Sequence, residues 1–391
     1  MKNHKNIIPM YTSPWMTPEL EMLRDSVKKF FLAEFLPHEE RWQKNGMIDR
    51  DAWVKAGRMG LLCASAPEEY GGIGGTLAHD AVIFGEQARA LATSFGNIPH
   101  SGVVAQYLIS YGTEEQKKHY LPKMISGEIV GSIAMSEPDA GSDLQSIRSR
   151  AVLEGDYYRI NGSKIFITNG FHADLLCMAV KTSDEPGYKG ISMILVDTKD
   201  LKGFKRGRLL NKMGYKGTDT AELFFGDVLV PKQNVLGGIE GQGFYQMMGQ
   251  LPQERLYIAI NFQAQMEKAI EITLEYVENR LVFGQKLSEL QNTRFKLAEC
   301  VTEAKLARVF LDHCIVSYLN GSFDVSSSAM AKWWITQKAY EVVDTCLQLH
   351  GGNGYILDYP IAKMFQNVRI GRIYGGSNEI MKEIIARSLF S

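Results

Sequence analysis

The sequence predicts an α+β chain built in the order helices, antiparallel sheet, helices, and three stretches of patterning predict it. From about residue 17 to 128 the apolar residues fall at helical spacing, as in PELEMLRDSVKKFFLAEFLPHEERW and AHDAVIFGEQARALATS, with breaks at glycine or proline. From about 129 to 237 the pattern changes to short β-rich runs, DYYRINGSKIFITNG, DLLCMAVK, GISMILVDT and AELFFGDVLVP, separated by turn signals NG, EPG and KG. After about 238 long helical patterns return, one from Gly243 through Arg280 and another from Ser326 to His350. The expected domains are therefore an N-terminal helical bundle over 1–128, a middle antiparallel β domain over 129–237 and a C-terminal helical domain over 238–391.

Composition narrows the function. A chain of 391 residues with 45% hydrophobic residues can bury a large core. The net charge is −1 with no basic run, which argues against tracking a phosphate backbone and against a nucleic-acid partner. Cys63, Cys177, Cys300, Cys314 and Cys346 are scattered with no CxxC pair, so neither a disulfide framework nor a metal site is expected, and a reducing compartment is. The opening MKNHKNIIPMYTSPW lacks a signal core and an Arg/Ser-rich presequence, and no apolar stretch is long enough to span a bilayer. The expectation is a prokaryotic cytoplasmic protein, or a mitochondrial matrix protein if the sequence is a processed eukaryotic one. The chain carries no GxGxxG, GxxxxGK[ST], HExxH or GxSxG, so no cofactor is expected on a Rossmann turn.

Five segments carry candidate chemistry. IAMSEPDAGSDLQSI, residues 133–147, sets Ser136, Ser142 and Asp143 around Ala140 and Gly141, offering hydroxyls and open backbone N–H groups that suit a polar cofactor edge; a structural loop would read the same. NGSKIFITNG, residues 161–170, alternates like a half-buried strand with Phe166 and Thr168 on one face, a wall and a hydroxyl for a flat heteroaromatic ligand or else a core strand. In NRLVFGQKLSELQ, residues 279–291, Arg280 stands at a helix end before Phe283 and Gly284, where it could grip a pyrophosphate or be solvated. QLHGGNGY, residues 348–355, is a glycine-rich turn after a helix. RIYGGSNEIMKEIIAR, residues 372–387, puts two glycines before a helix capped by Ser377, with Ile380, Ile384 and Ile385 on one face.

Together and in this order these segments resemble the acyl-CoA dehydrogenase family of flavoenzymes over nearly the whole chain. The resemblance is closest to the long-chain members, through IYGGSNEIMKEIIAR and LPQERLYIA. It implies a C-terminal four-helix bundle, FAD as cofactor, an acyl-CoA thioester as substrate, a homotetramer built as a dimer of dimers, and electron-transferring flavoprotein as acceptor. It implies that Met135, Ser136, Phe166, Ile167 and Thr168 flank the isoalloxazine, and that Gly141 and Ser142 also bind the cofactor. Arg280, Phe283, Gln291, Gln348, Gly351 and Gly352 would reach the dinucleotide half across a dimer interface, and Gly376, Ser377, Asn378 and Glu379 would finish that site. Ser142, Arg255, Tyr374 and Gly375 would face the CoA thioester.

The sequence departs from many relatives at Gly375, where they carry the glutamate that removes the substrate's α-proton. The long-chain and isovaleryl members place theirs on another helix, which points to Glu254 in LPQERL; without the resemblance this glutamate reads as a surface residue paired with Arg255. Gly375 would then stay small and lend its backbone N–H to the thioester oxygen. Pro252 either bends a helix two residues before Glu254, freeing the Met248 carbonyl, or simply starts a helix there. SFGNIPHSG, residues 94–102, is expected to begin the floor of the acyl pocket, with Gly96, Pro99 and Gly102 leaving depth for a long chain.

Overall fold

The computed structural model describes residues 11–185 and 187–390. The start of the amino-terminal stretch read for targeting signals and Pro186 of the EPG turn lie outside them. The first part holds α1 (Pro18–Phe30), α2 (Glu39–Asn45), α3 (Arg50–Arg58), α4 (Leu77–Arg89), α5 (Ala105–Tyr111) and α6 (Glu114–Ile125). Local chemistry starts these helices. Thr17 accepts the Leu20 N–H ahead of Pro18, and Thr113 and Gln116 form a reciprocal capping box.

The middle part holds β1 (Gly131–Ala134), β2 (Arg150–Glu154), β3 (Tyr157–Thr168), β4 (Leu175–Lys181), β5 (Ile191–Asp197), β6 (Phe204–Leu209) and β7 (Thr220–Pro231). Most pairings are antiparallel, but β1 runs parallel to β4, and β2 touches β4 in parallel through Arg150 and Lys181. The sheet is therefore mixed where the turn signals suggested a purely antiparallel one. Both parallel strands begin beside the Asp174 carboxylate, which accepts the Val130 N–H at 2.8 Å, and the chain between them is long enough for the crossover that parallel pairing needs. β4 is buried on both faces: Leu175, Cys177 and Ala179 pack with the helices, while Leu176, Met178 and Val180 pack with β3 and β7. That two-sided burial is why DLLCMAVK reads as a continuous apolar run.

The last part holds α7 (Gly243–Asn279), the hairpin β8 (Leu281–Val282) and β9 (Gln285–Lys286), α8 (Gln291–Leu319), α9 (Val325–Leu349), α10 (Pro360–Val368) and α11 (Asn378–Leu389). α7, α8 and α9 pack on one another, and α11 adds a fourth helix against α9. α7 runs on through Pro252, which excludes a helix start there. On α11 the buried residues are Asn378 and Met381, and the three isoleucines are only half-buried. Among the described residues no helix is long and apolar enough to cross a membrane.

Buried polar contacts dock the parts. His100 accepts the Gly131 N–H at Nδ1 (2.9 Å), which leaves Nε2 to donate to the Met124 carbonyl (3.1 Å); burial pulls its pKa down to about 4, so it stays neutral. Asn169 donates to the Gly96 carbonyl at 2.8 Å. Within the sheet domain the Lys164 ammonium lies 2.8 Å from Glu137, with side-chain exposures of 0% and 6%, and also donates to the Met135 carbonyl. Glu137 in turn accepts the Arg148 and Ser149 N–H groups. Burial pushes the Glu137 carboxyl up, but the Lys164 charge and these hydrogen bonds outweigh it and hold it below its usual value. This pair ties the 133–147 loop to β3. Lys164→Met strands the carboxylate and is expected to cost about 3–5 kcal/mol, read as a fall in the thermal unfolding midpoint; an unchanged midpoint would show that the pair does not secure the loop.

Candidate active site

β3 carries a bulge between Lys164 and Ile167, and inside it Phe166 adopts φ +61° with its ring 67% exposed. A bulky residue with positive φ is strained, and the bulge reverses the side-chain phase so that Ile167 enters the core while Phe166 and Thr168 face the other way. The Ser136 carbonyl accepts the Ile165 N–H at 3.0 Å, and the Ser132 hydroxyl donates to the Thr168 carbonyl at 2.5 Å. Met135, Ser136, Phe166 and Thr168 therefore lie together beside the loop, with Ile167 contributing only its backbone there. Gly141 and Ser142 lie farther along the same loop and are exposed.

Glu254 sits on α7 where all three parts of the chain meet. The buried Tyr107 hydroxyl of α5 donates to its Oε1 at 3.2 Å. Its charge also reaches the buried Cys177 thiol of β4 and the neighbouring Arg255 guanidinium. Burial raises the Glu254 carboxyl to about 7 against the opposing pull of the Tyr107 hydrogen bond and the Arg255 charge. Glu254 is half-buried, between the buried Gln253 and Arg255, and is not the free surface residue that a helical pattern alone suggests.

One turn beyond Glu254, Ile258 fills the space beside Gly375: a Cβ there would come within 2.3 Å of Ile258 Cδ1. The Tyr374–Gly376 turn thus lies against the face of α7 that bears Glu254, and the Tyr374 ring meets Phe262 edge-on at 6.2 Å. Gly375 and Gly376 have φ of +63° and +90°, which answers why glycine occupies both. The turn is held by Lys332 of α9, whose buried ammonium donates to the Gly376 carbonyl (2.5 Å) and to Asn378 Oδ1 (3.1 Å). Burial, helped by the Arg255 charge, pulls Lys332 down to about 7. Ser377 caps α11 by accepting the Ile380 N–H, and Glu379 is exposed.

The remaining predicted residues cluster elsewhere. Arg280 caps α7 and is exposed, without an ion pair among the described residues. Phe283, 96% exposed, tops the two-residue β8–β9 turn with Gly284, both at positive φ. Gln291 opens α8, and Gln348, Gly351 and Gly352 close α9; all four are exposed. The two helix ends are joined by Tyr276, which stacks on His350 at 4.2 Å and accepts a hydrogen bond from Asn353. The 26 residues from Glu254 to Arg280 span about 39 Å of helix, so the structure separates this group from the Glu254 group.

Sequence reading missed Tyr107, Ile258, the Glu137–Lys164 pair and Lys332. Lys332 alone left a signal, a lysine inside the apolar run AMAKWWI. The expected pocket depth at Gly96 and Gly102 is corrected. A Cβ at Gly96 would meet Asn169 Oδ1 at 1.9 Å, and one at Gly102 would meet Tyr257 at 2.9 Å and Phe84 at 3.2 Å. These glycines permit close packing and leave no void behind them.

Family models for the acyl-CoA dehydrogenase N-terminal, middle and C-terminal domains match residues 17–128, 132–228 and 241–390 in turn. The chain belongs to the acyl-CoA dehydrogenase family. It is 45% identical over 376 residues to the mitochondrial long-chain specific acyl-CoA dehydrogenase of Mus musculus, covering 95% of this chain and 87% of that protein. It is 36% identical over 375 residues to isovaleryl-CoA dehydrogenase of Oryza sativa subsp. japonica, covering 95% and 91%. A solved acyl-CoA dehydrogenase structure from Geobacillus kaustophilus superposes with a TM-score of 0.94 at 45% identity, covering 97% of this chain and all 100% of that one.

Acyl-CoA dehydrogenases are FAD-dependent oxidoreductases, and the residues present here fit such a group. Arg255 is 5% exposed with Nε unpartnered, and Asn378 is 2% exposed with Nδ2 unpartnered, among the described residues. Buried donors without acceptors, together with the open Phe166 ring, call for a flat ligand rich in acceptors. Gly375→Ala is expected to cost about 1–2 kcal/mol through its dihedral alone, with the Ile258 clash added on top. In an Ile258→Ala background the added cost should fall toward the dihedral part. Denaturant unfolding of the four variants measures both, and equal costs in the two backgrounds would show that Ile258 does not crowd residue 375.

Proposed function

We propose that the protein catalyses α,β-dehydrogenation of a fatty acyl-CoA, with long acyl chains as substrates, giving the trans-2-enoyl-CoA. The observation that carries this reading is the Glu254 carboxyl, raised to about 7 at the meeting point of the three parts and one helical turn from Ile258, the residue that closes on Gly375. A base of that strength is half ionised near neutral pH, and its conjugate acid is weak enough to hold a proton taken from carbon. Glu254 accepts the substrate α-proton, and the electron pair of that C–H bond becomes the new C=C bond as the β-hydrogen departs as hydride. FAD, when bound, supplies the hydride acceptor. The Gly375 N–H donates to the thioester oxygen and steadies its developing negative charge, with the Arg255 and Lys332 charges nearby. Met135, Ser136, Phe166, Ile167 and Thr168 line the isoalloxazine side, Gly141 and Ser142 border it, and Ser142, Arg255 and Tyr374 take part in binding the thioester.

Arg280, Phe283, Gln291, Gln348, Gly351 and Gly352 lie about 39 Å of helix from Glu254, farther than one FAD spans. They therefore serve the cofactor of a second subunit, whose own Gly376, Ser377, Asn378 and Glu379 complete the site. This supports a dimer, and the assembly we propose is a homotetramer built as a dimer of dimers, with domains divided at 1–128, 129–237 and 238–391. The electron acceptor is electron-transferring flavoprotein, and the compartment is the prokaryotic cytoplasm, or the mitochondrial matrix for a processed eukaryotic chain. The long-chain preference rests on the higher identity to the long-chain relative than to the isovaleryl one. A panel of straight and branched acyl-CoAs of graded length decides between them.

Glu254→Gln keeps shape but accepts no proton, so anaerobic flavin bleaching by acyl-CoA should slow by roughly 10²- to 10⁴-fold with little change in CoA affinity. In the parent enzyme that rate should rise with pH through a midpoint near 7, because the deprotonated carboxyl is the active form. Bleaching at the parent rate in the variant contradicts the assignment. Arg280→Ala should purify with less FAD and as a weaker oligomer; full flavin content and an intact assembly would place the dinucleotide elsewhere.

A further inference from the structure

A base launched from a helix on a flexible side chain needs something to fix it. Glutamate has three rotatable bonds, and a carboxylate free to sample them spends little time at any one reacting atom. Of the contacts around Glu254, one is directional. Tyr107 is fully buried at 0% exposure, and its hydroxyl reaches Glu254 Oε1 at 3.2 Å. Among the described residues that hydroxyl has no other partner, although buried phenols usually find one. The ring is itself immobilised. It packs edge-on against Tyr111 at 6.3 Å, and its helix follows a π-helical turn over Ile98–Val104. That turn is anchored by the His100 contacts to Gly131 and Met124 and by the Asn97 side chain donating to the Leu61 carbonyl.

We propose that Tyr107 is the positioning residue of the base: by donating to Oε1 it locks the Glu254 carboxylate and leaves Oε2 as the oxygen that receives the α-proton. The proposal rests on the reading of Glu254 as base. It adds that orientation comes from the N-terminal part of the chain, so that the base is set by one domain and carried by another. The charged or titratable groups facing the carboxyl are Tyr107 on α5, Cys177 on β4 and Arg255 on α7. Only the first presents a hydrogen bond to it, so removing that hydroxyl acts on orientation and on ionisation together. A hydrogen bond donated to the carboxylate favours its charged form, and its loss moves the carboxyl up.

The test is Tyr107→Phe, made alone and together with Glu254→Gln, on the FAD-loaded enzyme. Alone, the pH limb of anaerobic flavin bleaching should move up by about one unit, and the rate above that limb should fall by roughly ten-fold. The Glu254 carboxyl band, identified by infrared difference against Glu254→Gln, should titrate higher by the same shift in protein without substrate. In the Glu254→Gln background, Tyr107→Phe should change neither rate nor pH profile. An unmoved limb and an unmoved carboxyl band in Tyr107→Phe overturn the proposal, as does an equal rate loss in both backgrounds, which marks a packing role only. Parent-like bleaching by Glu254→Gln instead defeats the assignment of the base itself. Should Tyr107→Phe lose FAD or fold poorly, Tyr107→Leu, which is smaller, apolar and has no donor, gives the same infrared readout.

Discussion

The structure depends on drawing one carboxyl partly out of water without leaving it inert. Burial alone would hold Glu254 protonated at neutral pH, and full pairing with Arg255 would hold it ionised. The carboxyl instead sits near 7, between the desolvation of the junction and the modest opposition of one phenol and one adjacent guanidinium. That balance needs a dry site assembled from α5, β4 and α7, and no one of these parts could supply it. The docking contacts through His100, Asn169 and Gly96 keep the junction closed.

The opposite wall obeys a related constraint. A turn with positive φ at both Gly375 and Gly376 is unstable unless something outside it fixes its path. Lys332 does this from α9 through the Gly376 carbonyl, and Ile258 seals the side facing α7. Moving the acid onto α7 and leaving glycine at 375 are thus two halves of one arrangement. Ile258 occupies room that a side chain at 375 would otherwise need. Among the described residues Arg255 Nε and Asn378 Nδ2 have no partner, so the site retains unmet donors for an acceptor-rich ligand.

Much of this was legible in the sequence, but in unequal ways. The order of helices and strands followed from length and apolar content, since β4 and β5 are short runs buried on both faces and α7 is a long helix buried nearly all round at its middle. The Phe166–Thr168 face was readable from alternation, whereas the bulge that strains Phe166 was not, because it arises from pairing with β7. The parallel β1–β4 pair escaped for the same reason: strand direction is set by partners far away in the chain. Glu254 was found only through the family resemblance, because its environment comes from Tyr107, 147 positions away. Gly96 and Gly102 were read as leaving depth, because the residues that pack against them come from distant parts of the chain. The structure names Asn169, Tyr257 and Phe84.

The central claim is that Glu254, oriented from α5 and opposed by Gly375, meets the α-carbon of the substrate. A crystal structure of the FAD-loaded enzyme with a non-oxidisable acyl-CoA analogue tests it most directly. The account predicts a Glu254 carboxylate oxygen in contact with the analogue's α-position and the Gly375 N–H about 3 Å from the thioester oxygen. An α-position facing a different basic group, with the Glu254 carboxylate turned away from the ligand, would contradict it.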